Sequence, residues 1–280
     1  MAEATTIHPT AIVERAADIG AGTTVGPYSV IGPEVRVGPG AEIGAHVVLE
    51  GRVTIGARCR IGHGALIGGR PQDLKYRDGL PVGVEIGDDT TIREYVTIHR
   101  ATHEGHATRV GQHCLIMVGT HIAHDCLVGD HVVIINNVGL TGHVTVEDRA
   151  TIGGFSGVHP FARVGTYAYI GGCSKVNQDV PPFTMVDGNP ATARGVNVVG
   201  MRRGGIDGDA RGQVRAAFRL LYRSGLGPGA ATARIKAELG EHPLVGRLVE
   251  FIEGSRRGIV PAGWVAEATE GGAWPEERVW

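Results

Sequence analysis

The sequence predicts a mainly β chain, a parallel β-helix of hexapeptide repeats followed by an α-helical C-terminal domain. Every sixth residue from Ile7 to Ile67 is Ile, Val or Leu; the beat returns at Ile86, Ile92 and Ile98, then runs unbroken from Val110 to Val176. Glycine supplies 45 of the 280 residues, over twice its usual share of about 7%. Beyond QDVPPF (178–183) the beat stops and apolar residues recur at helical spacing.

A period of six fits neither a helix nor simple strand alternation, but three hexads close one coil of three short strands. The aliphatic residue points inward, and residues three hexads apart stack at about 4.8 Å between coils. The following residue is often glycine (Gly20, Gly26, Gly32, Gly38, Gly44, Gly56, Gly62), expected to supply turn conformations that side chains resist. The prism is expected over residues 1–190, with two interruptions. Between Ile67 and Ile86 the spacing is one more than three hexads, which shifts the register by one and predicts an extruded loop near 69–85. Between Ile98 and Val110 the beat falls on Glu104 within HRATHEGHATR, so register is kept and a second loop emerges near 99–109. Inserted loops on one face of a solenoid often carry function.

Two prolines in QDVPPF end the coils. Residues 191–280 are read as a helical C-terminal domain with an irregular tail. An amphipathic helix is expected over 206–224, with Val214, Phe218, Leu221 and Tyr222 on one side. Two further helices are expected over 230–240 and 243–257; 259–280 lacks pattern.

The formal net charge of −2 points to neither nucleic acid nor an anionic membrane. No apolar run approaches the roughly 20 residues a membrane span needs, and the N-terminal MAEATTIHPT has no charged-then-apolar signal. Cys59, Cys114, Cys126 and Cys173 show no zinc spacing and read as buried fillers of a reduced protein. A cytoplasmic protein without metal or organic cofactor is the expectation.

Nine histidines crowd residues 99–159. In THIAHDC (120–126), His121 and His124 flank the inward Ile122, and Asp125 follows His124. Three hexads beyond His124 is Gly142, then His143. One coil on from His124 there is thus a glycine N–H beside a further imidazole. That arrangement offers a general base near neutral pKa and a backbone donor for a developing oxyanion, the parts acyl transfer needs. The competing reading is a carbonic-anhydrase-like zinc site, three imidazoles gathered across a subunit boundary.

Several motifs together resemble the acyl-[acyl-carrier-protein]–UDP-N-acetylglucosamine O-acyltransferases: QDLKY (72–76), TIHR (97–100), HIAHDC (121–126), GHV (142–144), GGCS (171–174), QDVPP (178–182) and GVN (195–197). QDLKY with HIAHDC is the most specific part. The resemblance implies a homotrimer of left-handed β-helices with active sites between adjacent prisms. It implies transfer of a 3-hydroxyacyl group from acyl carrier protein to the 3-hydroxyl of UDP-N-acetylglucosamine, the first step of lipid A biosynthesis. His124 then looks like the general base, Asp125 its orienting partner, and Gly142 the oxyanion donor. Gln72, Asp73 and Lys75 would reach the sugar and phosphates; His99, His121, His143 and His159 would line the cleft; Asn197 and Arg203 would contribute from beyond the prism. Gly172 aligns with the family's acyl-length ruler, where glycine suggests a medium-to-long chain. Pro160, Val199 and Gly204 depart from residues common in the family (Gln, Glu and Arg), which leaves the acceptor open between the 3-hydroxy and a 3-amino sugar.

From Arg194 to Arg223 seven arginines face two aspartates. Arg211, Arg215, Arg219 and Arg223 recur every fourth residue, a stripe on one helical face. With an acidic carrier protein as the implied donor, Arg211, Arg215 and Arg219 are the expected docking residues.

Overall fold

A computed structural model describes residues 4–240 and 242–263; the part of the expected tail beyond Gly263 lies outside them. Short strands, mostly two residues long, stack into three sheets of eleven, nine and eight strands, one per face of a triangular prism and parallel except for the last strand of the largest. The coil-to-coil spacing is three hexads wherever the beat is unbroken, as in Glu42↔Arg60 and Leu115↔Val133. Across the first interruption the pairing jumps from Arg60 to Thr91, and across the second from Thr91 to Leu115, four hexads on. The extruded segments are residues 70–82 and 100–106.

The beat residues fill the prism. Ile31, Leu49, Ile67, Ile98, Ile122, Ile134 and Ile152 are wholly buried, whereas Ile7, with no coil beneath it, is 44% exposed. Burying each such side chain contributes about 1.5–3 kcal/mol. The position two residues earlier also points inward and is small: Val35, Ala41, Val47, Ala65, Val132, Ala150. Where it is Thr or Ser, the buried hydroxyl donates to a carbonyl, as Ser29 does to Gly44 at 2.8 Å and Ser156 to Gly171 at 3.0 Å. Cys59, Cys114 and Cys126 occupy this small inward position; Cys173 falls three residues after Ile170, at a corner, and is exposed. It is therefore not the buried filler expected of all four cysteines.

The glycines after the beat have a different reason from the one expected. None of Gly20, Gly26, Gly38, Gly56 and Gly62 has positive φ. Instead, a Cβ at Gly26 or Gly38 would lie 2.6–2.7 Å from the backbone of the next coil. Close approach, not turn conformation, demands glycine there. The left-handed residue sits three after the beat and is often not glycine: Tyr28, His46, Arg58, Tyr95, Asp125, His143, Phe155. Its N–H is tied back to the preceding coil, as from His46 to the Pro27 carbonyl at 2.9 Å, a bond that offsets the backbone strain.

The prism ends in an antiparallel hairpin, Thr184–Asp187 with Thr192–Val196, which the beat does not announce. A short helix α1 (Val198–Arg203) follows, then α2 (Gly208–Arg223), α3 (Pro228–Leu239) and α4 (Pro243–Glu253). Asp207 caps α2 by accepting from Ala210 N–H at 2.8 Å. Ala217, Leu221, Ile235, Val245, Leu248 and Ile252 form the helical core. Phe183, Met201 and Val214 join it to the end of the prism. Buried Asp179 accepts from the Arg163 N–H at 2.9 Å and the Ser255 hydroxyl at 2.8 Å, mooring the last turns to the coils. No described helix is long and apolar enough to cross a membrane.

Candidate active site

His124 and Asp125 lie at the corner between the nine- and eight-stranded sheets, directly after the strand His121–Ile122. Asp125 adopts φ +58°. This folds its carboxylate back, and Oδ2 lies 2.8 Å from His124 Nδ1. Burial pushes the Asp125 carboxyl up, but hydrogen bonds from Thr102 and His124 together outweigh it and hold the group below the usual carboxylate range. An ionised carboxylate only accepts, so His124 donates from Nδ1 and keeps its Nε2 lone pair free for a proton. The two side chains are 14% and 6% exposed.

One coil on, Gly142 (φ +99°) packs on the same imidazole: a Cβ there would lie 3.1 Å from His124 Cε1 and Nε2. Only glycine permits that approach. His143 meets His124 edge-on at 5.2 Å between ring centroids and stacks on Phe161 at 4.5 Å. Burial lowers the His143 pKa, opposed by Asp125.

The first loop closes over this corner. A cleft of about 610 Å³ is lined by Asp73, Lys75, Tyr76 and Arg77 from this loop, by His103 from the second loop, and by His124, His143 and Phe161 from the prism. Asp73 turns the loop by accepting from Lys75 N–H at 2.8 Å. Gln72 is exposed beside it, outside the lining.

The other residues expected in the site are distributed more widely. His99 is 7% exposed, edge-on to His121 at 4.7 Å. Burial first, then neighbouring His121, lowers its pKa to about 4. His121 hydrogen-bonds Thr97 Oγ1 at 2.7 Å, and burial lowers its pKa too. His159 is exposed, its Nδ1 3.1 Å from the Pro160 carbonyl. Pro160 lines the cleft. Gly172 lies on a different edge, between the eleven- and nine-stranded sheets. Asn197 caps α1: its Oδ1 accepts from Gly200 N–H and its Nδ2 donates to the Tyr167 carbonyl, each at 2.9 Å. Arg203 is exposed in the last turn of α1, and Val199 is 49% exposed in its first. At Gly204 a Cβ would collide with the Tyr167 ring, which gives this chain a reason for glycine. On α2, Arg215, Arg219 and Arg223 are exposed, while Arg211 is half-buried and donates to the Ile206 carbonyl at 2.9 Å.

Sequence reasoning missed Thr102, His103, Tyr76 and Phe161. Phe161 was within reach, since it stands one coil, or three hexads, beyond His143. His124, Asp125 and His143 offer three metal-ligand atoms within 4.8 Å of one another. Asp125 is already occupied by donors from Thr102 and His124, so the set suits a metal poorly. It suits proton transfer well.

Residues 179–260 match the family described as UDP N-acetylglucosamine O-acyltransferase, domain 2, and 16–51 and 34–69 match the six-repeat bacterial transferase hexapeptide. The chain is 44% identical over 206 residues to the acyl-[acyl-carrier-protein]–UDP-N-acetylglucosamine O-acyltransferase of Synechocystis, covering 71% of this chain and 73% of that one. It is 44% identical over 196 residues to the enzyme of the same name from Anaeromyxobacter, covering 70% and 76%. Among solved structures, the UDP-N-acetylglucosamine O-acyltransferase of Moraxella catarrhalis superimposes with TM-score 0.87 at 42% identity, over 91% of this chain and 99% of that one. The UDP-N-acetylglucosamine acyltransferase of Arabidopsis does so with TM-score 0.82 at 36% identity, over 91% and 99%. The prism is thus a left-handed parallel β-helix.

Proposed function

The chain belongs to the acyl-[acyl-carrier-protein]–UDP-N-acetylglucosamine O-acyltransferase family, and on that premise we propose that it transfers a 3-hydroxyacyl group from acyl carrier protein to the 3-hydroxyl of UDP-N-acetylglucosamine, the first step of lipid A biosynthesis. His124 is the general base. Its Nε2 takes the proton of the sugar hydroxyl as that oxygen attacks the thioester carbonyl. The Gly142 N–H meets the oxyanion of the tetrahedral intermediate. Collapse breaks the carbon–sulfur bond, and the imidazolium returns the proton to the departing carrier thiolate. Asp125 fixes the tautomer and stabilises the imidazolium. The observation that carries this reading is the 2.8 Å His124–Asp125 contact under a glycine whose missing side chain opens the imidazole face.

Lys75 serves the phosphates as a flexible point charge, with Asp73, Gln72 and His143 toward the sugar. Gly172 bears on acyl length from another edge of the prism, so one chain does not assemble a whole site. A homotrimer, with each cleft completed by a neighbour's edge carrying Gly172, meets that need; His159 serves from the cleft's own edge beside Pro160, and Asn197 and Arg203 contribute from beyond the prism. The exposed arginines of α2 receive an acidic carrier protein, with Arg211 at the stripe's anchored end. The setting is the cytoplasm.

His124→Ala tests the reading. Its kcat should fall by about 10³-fold or more, the usual scale for losing a general base together with its alignment, with melting behaviour unchanged. A rate within a few-fold of the parent would end the assignment of His124 as base.

A further inference from the structure

The second interruption spends one extra hexad, since partners across it, such as Thr97 and His121, are four hexads apart rather than three. Its two ends close on one residue. Thr102, at the start of the loop, donates its hydroxyl to Asp125 Oδ2 at 2.6 Å. Its backbone N–H reaches Oδ1 at 3.1 Å and Oδ2 at 3.2 Å. Thr108, fully buried where the chain re-enters the prism, accepts from the Asp125 N–H at 2.9 Å. The loop itself is fastened. Ala101 is wholly buried, and its N–H donates to the Gly83 carbonyl at 3.3 Å; Gly83 N–H in turn donates to the His106 carbonyl at 3.2 Å.

We propose that Thr102 is a positioning residue for the acyl transfer: with Thr108 it clamps Asp125 so that the carboxylate holds one rotamer toward His124. This rests on the reading of His124 as the base. A carboxylate has room for about four hydrogen bonds. Thr102 and His124 fill that room on the inner side, leaving Asp125 a single orientation although its backbone is left-handed. The hydroxyl shares Oδ2 with His124 Nδ1. Removing it leaves more charge on that oxygen, which favours the imidazolium. His103 Nδ1 and His143 Nε2 also face Asp125, each at 3.7 Å; His143 additionally senses Asp73.

Thr102→Val keeps the backbone donor and removes only the hydroxyl. The expected result is a fall of about tenfold in kcat, the scale of one hydrogen bond to a charged group, with KM for both substrates near the parent value. The acid limb of the kcat–pH profile should move to higher pH, and Thr102→Ser should restore both rate and profile. Thr102→Ala repeats the test without a bulky β-branch, should the valine disturb folding. Parent kcat and pH profile in folded Thr102→Val or Thr102→Ala, or a serine variant no better than valine, would overturn the clamp. An inactive His124→Ala beside a fully active Thr102→Val would sink the clamp alone; an active His124→Ala would sink the reading beneath it.

Discussion

The two interruptions of the six-residue beat are built in opposite ways. The first, residues 70–82, shifts the register and curls mainly upon itself: Arg70 pairs with Asp78 at 2.6 Å, both mostly exposed, and Leu74 at its tip is fully exposed. Exposed ion pairs of this sort contribute little, about 0–1 kcal/mol. The second, residues 100–106, keeps the register and is fixed at its base by buried Ala101 and by Thr102 on Asp125. The difference teaches a division of labour. The loosely held loop brings Asp73 and Lys75 to the wall of the cleft, and the fixed loop holds Asp125, the proposed partner of the base, through Thr102. Changes in the first should act on KM, and changes in the second on kcat and stability.

The largest of the remaining effects is expected at the root of the fixed loop. His99 is buried, with a pKa of about 4 against an ordinary 6.5. The unfolded imidazole takes a proton below 6.5 that the folded one refuses until about 4. Stability should therefore fall as pH drops through that window and level off below it, by up to roughly 3 kcal/mol per chain. His121 and His143 lean the same way, so His99→Gln should flatten the slope of melting temperature against pH without abolishing it. An unchanged slope would mean that the root of this loop is not closed to protons. Next comes the loose loop. Lys75→Ala should raise KM for the sugar nucleotide about tenfold with kcat within about twofold, the pattern of lost uniform binding. A kcat loss at constant KM would erase the contrast between the loops. The smallest effect is expected away from both: charge reversal of Arg215 and Arg219 should raise KM for the carrier-bound donor a few-fold and weaken its salt dependence. No change in either quantity would assign the stripe to solvent.

How much of this was legible in the sequence depended on the period. From Ile116 to Val176 nothing interrupts the beat, so counting three hexads from His124 reaches Gly142, and the two do touch. Thr102 could not be found that way, because an insertion's path is fixed by its own contacts and not by the repeat. The glycines were visible but their cause was not: close approach and turn conformation leave the same letter in a sequence, and only the next coil's backbone distinguishes them. Cys173 was misjudged for a related reason, since its place in the hexad, not its residue type, decides exposure. The closing hairpin and α1 are too short to establish a period at all.

The central claim is the reaction itself. Incubating the purified protein with carrier-bound 3-hydroxyacyl donors of several lengths, and with UDP-N-acetylglucosamine and its 3-amino analogue, then weighing the products, tests it most directly. The account predicts a single ester at the 3-oxygen of UDP-N-acetylglucosamine, fastest with medium-to-long chains and lost in His124→Ala. An amide formed only on the 3-amino analogue, or free acid with no sugar product, would contradict it.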